Sequence, residues 1–383
     1  SLRLRIPEEE MNNQQETLNT LILSAAWRFN LADLAELYRR IGSATALIDH
    51  HNDIRSVCPD ASPRLVELLK DLSQAQRTAE EELAYCDQHH IRILTIDNED
   101  YPRRLADTID APLALFYIGN GNLNERRTVN IVGTRRCTAY GKDVIARLVG
   151  QLHALCPDMM IFSGLAYGID ICAHRAALQN NMPTVGVLAH GLDTIYPSSH
   201  RHTAVEMIEH GGLLTEYFIH TQPVARNFIQ RNRIVAGCAD ATILVESAAK
   251  GGGLITCNIA RSYGRDVFAV PGPVNATYSE GCNNLIRDNG AALISSAEDL
   301  VKAMGWDDDE CLTKAQQQGI QRELFPDLSA EERNIVEALQ KSNDLQVNLI
   351  AVKTGMDMGT LSATLFGLEM KGLVKLMAGG TYH

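Results

Sequence analysis

Seven apolar runs of strand length, separated by stretches of helical length, constrain this 383-residue chain more than any other feature. The runs are Val129–Val132, Met159–Phe162, Thr184–Ala189, Gly212–Thr215, Ala241–Val245, Val267–Val270 and Ala291–Ile294. Between them, 140–155, 168–180, 201–210, 227–236 and 254–263 read as helices. Continuous apolar strands are what a sheet buried on both faces requires, and their alternation with helices makes that sheet parallel. The expected fold class is therefore α/β: a Rossmann-like, doubly wound, mostly parallel sheet over residues 91–305. In such folds ligands bind beyond the carboxyl ends of the strands.

Residues 12–90 read as a small helical bundle. Leu18, Leu21, Ile22 and Ala25 share one face, and Leu31, Leu34, Leu37, Tyr38 and Ile41 repeat at helical spacing until Gly42 and Ser43 end the run. A further amphipathic stretch extends from Pro63 to Leu83. After the sheet, the acids that follow Trp306 and the Gln-rich 316–321 mark a polar linker over 306–327. Residues 328–383 then form a separate domain. The capping box Ser329-x-x-Glu332 opens a helix holding Ile335, Val336 and Leu339. Helical runs follow at 345–353 and 358–371, and Leu373–Met377 with Thr381 and Tyr382 suggests a hairpin, so a winged-helix-like module is expected. This domain carries five Lys and Arg against six Asp and Glu. Groove-reading helices place donors near their N-terminal turns, whereas 358–371 offers one lysine at its far end and an apolar stripe of Met358, Leu361, Leu365 and Leu368. Protein docking, rather than duplex binding, is the expectation for this module.

The loops after the strands carry the chemistry. The first strand runs into Gly133-Thr134-Arg135-Arg136, and the second into Ser163-Gly164, with Gly168 opening the next helix. The fifth is followed by Lys250 to Gly253, with Gly252 at a helix start and Thr256 one turn later. Glycines at such turns let backbone N–H groups approach an anion, and the helix N-terminus adds its dipole. Most informative is 226–233, where Arg226, Phe228, Arg231, Asn232 and Arg233 fall in a window with no Asp or Glu between Glu216 and Asp240. Guanidinium forks suit phosphate oxygens, an amide suits a base edge, and a ring face suits base stacking. The whole chain is acidic, with net charge −12, which argues against bulk electrostatic DNA binding and confines any such site to a local patch. The nine cysteines are scattered without C-x-x-C spacing, so no zinc or redox motif is read, no metal or cofactor is expected, and a reducing cytoplasm fits. No apolar run reaches the ~18 residues that cross a bilayer, and no signal peptide is recognisable, so no membrane association is expected. The chain begins at Ser1, and Met11 is an alternative start. A P-loop is absent, and the first loop is not G-x-G-x-x-G.

The segments VGTRRCTAYG (132–141), SGLAYGIDICAHRAAL (163–178), GLDTIYP (191–197), FIQRNRIVAG (228–237), GGGLIT (251–256) and VPGP (270–273) resemble the DNA-processing protein A family, DprA, also called Smf. The resemblance implies a non-enzymatic single-stranded DNA-binding protein that protects incoming DNA and helps load the RecA recombinase in natural transformation. It implies a homodimer joined through the Rossmann-like domains, a helical SAM-like domain before them and a winged-helix domain after. DNA-binding roles carry over onto Arg135, Phe228, Arg231 and Asn232. Two alternatives use the same sheet: a LOG-type nucleotide phosphoribohydrolase, and a nucleotide-sensing scaffold. The first needs a glutamate three residues after Thr256, where Ile259 stands, so glycosidic cleavage would lack its carboxylate.

Overall fold

The computed structural model describes residues 8–27, 29–307, 328–341 and 345–370, together with 373–374, 376–377 and 381–382. Most of the expected linker, 308–327, and Gly379 and Gly380 of the expected hairpin lie outside the described residues. The chain divides into two compact units, one ending at Met304 and one beginning at Gly305.

The first unit opens with α1 (Glu8–Ala26), α2 (Leu31–Ile41), α3 (Ala44–Asp49), α4 (Pro63–Leu69) and α5 (Ser73–Gln88). Local chemistry sets the ends of these helices. Asn30 caps α2, whose last turn closes on Gly42 at φ 80°, a left-handed conformation that favours glycine. Ser62 caps α4, with Pro63 at its first position. The expected single run from Pro63 to Leu83 is thus two helices, broken at 70–72.

Strands β1 (Arg92–Thr95) and β2 (Ala114–Gly119) follow, with α6 (Arg103–Ala106) between them. The alternating part comprises β3 (Arg127–Val132), α7 (Ala139–Leu155), β4 (Met159–Ser163), α8 (Ile169–Gln179), β5 (Thr184–Val187), α9 (Arg201–Glu209), β6 (Gly211–Thr215), α10 (Ala225–Gly237), β7 (Ala241–Leu244), α11 (Gly252–Ser262), β8 (Asp266–Ala269), α12 (Glu280–Arg287), β9 (Ala292–Leu293) and α13 (Ala297–Ala303). Among the described residues these strands form one nine-stranded sheet in the order β1-β2-β6-β5-β4-β3-β7-β8-β9. All pairings from β6 to β9 are parallel, and β2 pairs antiparallel with both β1 and β6. The Rossmann-like expectation holds. The antiparallel extension β1-β2 was not foreseen in the sequence.

That extension joins the helices to the sheet. Ala114 and Phe116 of β2 are buried in one apolar cluster with Leu21 and Ile22 of α1 and Ala75 and Ala79 of α5. The sheet's central core gathers Val132, Phe162, Val185, Leu214 and Leu244 with Ile234 and Val235 of α10.

The second unit holds α14 (Ala330–Lys341), β10 (Leu345–Gln346), α15 (Val347–Thr354), α16 (Met358–Met370), β11 (Leu376–Met377) and β12 (Thr381–Tyr382). Its strands pair in the order β10-β12-β11. The capping box is formed: the Glu332 N–H donates to Ser329 Oγ (3.2 Å), and the Ser329 N–H donates to Glu332 Oε2 (3.0 Å). Leu361, Leu365 and Leu368 of α16 are buried against Ile335, Leu339 and Ile350. Met358, expected on the same stripe, is exposed. Leu345 and Gln346 form a strand rather than the start of a helix.

Candidate nucleic-acid interface

The direction of chain progression reverses between β3 and β7: the crossover from β3 leads to β4 on one side, and β7 to β9 lie on the other. The loops beyond β3 and β7 therefore part, which in doubly wound sheets creates the ligand crevice. A crevice of about 470 Å³ lies there, bordered by Gly133 to Arg136, Gly164, Phe228, Arg231, Asn232, Lys250 to Gly253 and Thr256.

Hydrogen bonds donated to buried Glu246 hold the 133–138 loop in place. The Thr134 N–H donates to the Glu246 carbonyl (2.7 Å), and the carboxylate of Glu246 accepts from the Thr138 N–H (2.9 Å) and hydroxyl (2.5 Å). Thr138 in turn caps α7. Glu246 was not foreseen as a site residue. Its only sequence signal is an acid at the end of an apolar strand. Gly168, at φ 80°, lets α8 start directly beneath this loop, because a Cβ there would collide with the Thr134 carbonyl. The Gly253 position likewise brings α11 close to Gly133. Arg135, Arg136 and Lys250 remain exposed at the mouth.

On the facing wall, the half-buried Phe228 ring has the Arg135 guanidinium 5.1 Å and the Arg231 guanidinium 5.8 Å from its centroid. The exposed Tyr196 ring lies 5.7 Å from it. Tyr196, within the GLDTIYP segment, carries no signal of its own in the sequence; the structure sets it beside Phe228. Asn232 borders the crevice, where its side-chain oxygen accepts from Arg231 Nε (3.4 Å).

Several expected rim residues lie elsewhere. Arg231 is buried at 3% exposure. Its Nη1 donates to the Gly164 carbonyl (2.6 Å) and to the Val187 carbonyl, tying the ends of β4 and β5 together. It shares the site with buried Asp170, whose carboxylate accepts the Gly164 N–H (3.1 Å). Burial pushes the Asp170 carboxyl up, opposed by Arg231, and pushes the Arg231 guanidinium down, opposed by Asp170. Arg231 thus still borders the crevice but builds its wall. Arg233 does not reach it. It is buried against Glu216, with which it forms an ion pair, and donates to the Asp110 carbonyl (2.7 Å). Arg226 is exposed but faces a different groove, with Trp27, Phe29, Gln230 and Arg233. Ser163 is fully buried, its hydroxyl donating to the Ile131 carbonyl (2.7 Å).

Residues 92–305 match the sequence profile of the DNA recombination-mediator protein A family, and residues 323–380 match the DprA winged helix domain. The chain belongs to this family. Among its relatives, the putative DNA processing protein DprA of Mycobacterium tuberculosis is 36% identical over 301 residues, covering 75% of this chain and 76% of that protein. Protein Smf of Escherichia coli is 33% identical over 317 residues, covering 81% and 82%. The crystal structure of DprA from Streptococcus pneumoniae superposes with a TM-score of 0.59 at 31% identity, covering 78% of this chain and 98% of that one. DprA of Helicobacter pylori, whose structure concerns its single-stranded DNA binding mode, matches at TM-score 0.51 and 28% identity, covering 57% and 96%. As a DprA-family chain, this is a DNA-processing protein with a Rossmann-like domain and a winged helix. Among the described residues no helix is long and apolar enough to cross a membrane.

Proposed function

We propose that this protein binds single-stranded DNA across the crevice beyond β3 and β7, and through that binding protects the strand and helps load RecA on it. The observation that carries the reading is the meeting of two kinds of group at one mouth: exposed cations on the glycine loops and an aromatic pair on α10 and the 191–197 loop. Arg135, Arg136 and Lys250 supply phosphate contacts, the Gly133, Thr134 and Gly252 backbones line the approach, and Phe228 with Tyr196 supplies stacking faces. A single strand, with its bases unpaired, can use both; a duplex hides its base faces.

The protein acts without catalysis in this reading. Asp170 and Glu246, the acids beside the crevice, are buried and bonded to backbone N–H groups. A cytoplasmic homodimer joined through the sheet domains completes the proposal, since two linked sites raise avidity for one long strand. Competition separates this function from the nucleotide-binding alternatives. Labelled oligo-dT should bind and resist displacement by nucleoside monophosphates; tight monophosphate binding with none of the oligonucleotide would reject the reading.

A further inference from the structure

The turn after β4 is held in an unfavourable backbone conformation. Leu165, fully buried, sits in the left-handed region at φ 57°. A bulky residue other than glycine stays there only where its surroundings impose it, and such residues gather at functional sites. Buried His200 fixes this one, its Nδ1 donating to the Leu165 carbonyl (2.8 Å). The far end of the turn is pinned by Gly168 at φ 80° and by the Ile169 N–H, which donates to the Thr134 carbonyl (3.0 Å). Between these anchors Ala166 borders the crevice, and Tyr167 next to it is 48% exposed. The Tyr167 ring is nonetheless held in place. The His200 ring packs edge-on against it at 4.9 Å, and the Ser199 hydroxyl donates to its Oη (3.4 Å). Both partners belong to the segment that begins with Tyr196, whose own ring lies 5.7 Å from that of Phe228. Tyr167, Tyr196 and Phe228 thus follow β4, β5 and β6, three adjacent strands of the sheet.

We propose that Tyr167 is a further base-stacking residue, over which the single strand leaves the crevice, so that the bound strand is longer than the crevice alone holds; this rests on the single-strand function proposed above. A ring already fixed by His200 and Ser199 needs little further ordering when a base stacks on it, which favours binding. The surroundings suit a polyanion. No Asp or Glu occurs between Asp193 and Glu206, so a backbone passing over the 194–205 segment meets no like charge from it. A ring face accepts any base, so this contact adds length to the site without adding sequence preference. Affinity should therefore rise with oligonucleotide length in two stages, the first as the crevice fills and the second as a base reaches Tyr167.

The test is a ladder of oligo-dT from about 3 to 16 nucleotides, titrated against the full chain. Tyr167→Ala should bind the longer oligomers about tenfold more weakly, the loss of one stacked base, and the shortest as the wild type does. Tyr167→Phe keeps the ring and loses only the bond to Ser199, so it should follow the wild type along the whole ladder. Irradiation of the wild-type protein with iodouracil-substituted oligo-dT, followed by peptide mapping, should place a cross-link on Tyr167; this arm decides alone if Tyr167→Ala does not fold. Wild-type affinity of Tyr167→Ala at every length overturns the proposal, as does an equal loss at every length, which would make Tyr167 a support of the crevice. Tyr167→Phe as weak as Tyr167→Ala, or no cross-link on Tyr167, overturns it too. A wild-type protein that binds no oligo-dT of any length instead overturns the functional reading, and this proposal with it.

Discussion

Arginines that look equivalent in the sequence have different work in the fold, and substitution separates them. Arg231→Ala would leave buried Asp170 without its counter-charge and two strand-end carbonyls without a donor. A buried carbonyl left without its donor costs about 1–3 kcal/mol, so chemical denaturation should register a clear loss of stability. An unchanged midpoint would mean that Arg231 turns outward. Arg135 is exposed, and Arg135→Ala should leave stability intact while reducing the salt slope of single-strand binding by nearly one phosphate contact. Phe228→Ala and Tyr196→Ala should each cost about 1–3 kcal/mol of affinity with the slope almost unchanged. Anisotropy titrations at several salt concentrations distinguish the two classes, and a Phe228→Ala protein that unfolds would place that ring in the core instead.

At the scale of elements, α10 explains why the 226–233 window was only half legible. Its basic and aromatic residues are contiguous in sequence, but a helix repeats every 3.6 residues. Phe228, Arg231, Asn232 and Val235 fall on the crevice side, and Arg226, Gln230 and Arg233 on the other. Along the sequence the window's charge reads as one patch, but the helix divides it in two. Glu216 lies outside the acid-free window and yet pairs with Arg233, a tertiary contact that no local pattern announces. Another element-level contact gives a pH prediction. Glu82 of α5 accepts the Ile219 N–H (2.6 Å), linking the N-terminal helices to the loop after β6. Burial pushes its carboxyl up from 4.5 to about 7, against the hydrogen bonds from Ile219 and Cys86. Between those values the folded state keeps a proton that the unfolded chain releases. The contribution to stability is thus complete below about 4.5 and declines as pH rises through about 7. The wild-type protein should lose on the order of 1–3 kcal/mol from this group between pH 5 and 8, and E82Q should remove that part of the decline. Equal declines in both would show Glu82 already ionised in the fold.

For the molecule as a whole, the strand-helix alternation and the glycine loops were readable because buried parallel strands leave continuous apolar runs. The β1-β2 extension was not, although Ala114 to Ile118 is itself a continuous apolar run, because the antiparallel pairing of β2 with β1 and β6 interrupts the strand-helix alternation and is announced by no local pattern. The polar stretch near 306 and the capping box at Ser329 marked the second unit through local chemistry alone. That unit has few basic residues, and α16 buries Leu361, Leu365 and Leu368 while exposing Phe366 and Met370. Removing residues 327–383 should therefore change single-strand affinity little, and a large drop with the first unit still folded would assign the second unit a DNA contact. The central claim is that three exposed cations and an aromatic pair hold a single strand. Its most direct test is oligo-dT binding measured from 50 to 200 mM salt beside a duplex of equal length. Three phosphate contacts at a slope of about −0.7 each predict roughly 20-fold weaker single-strand binding across that range, and clear preference for the single strand throughout. Salt-independent affinity, or duplex binding of equal strength, would contradict the account.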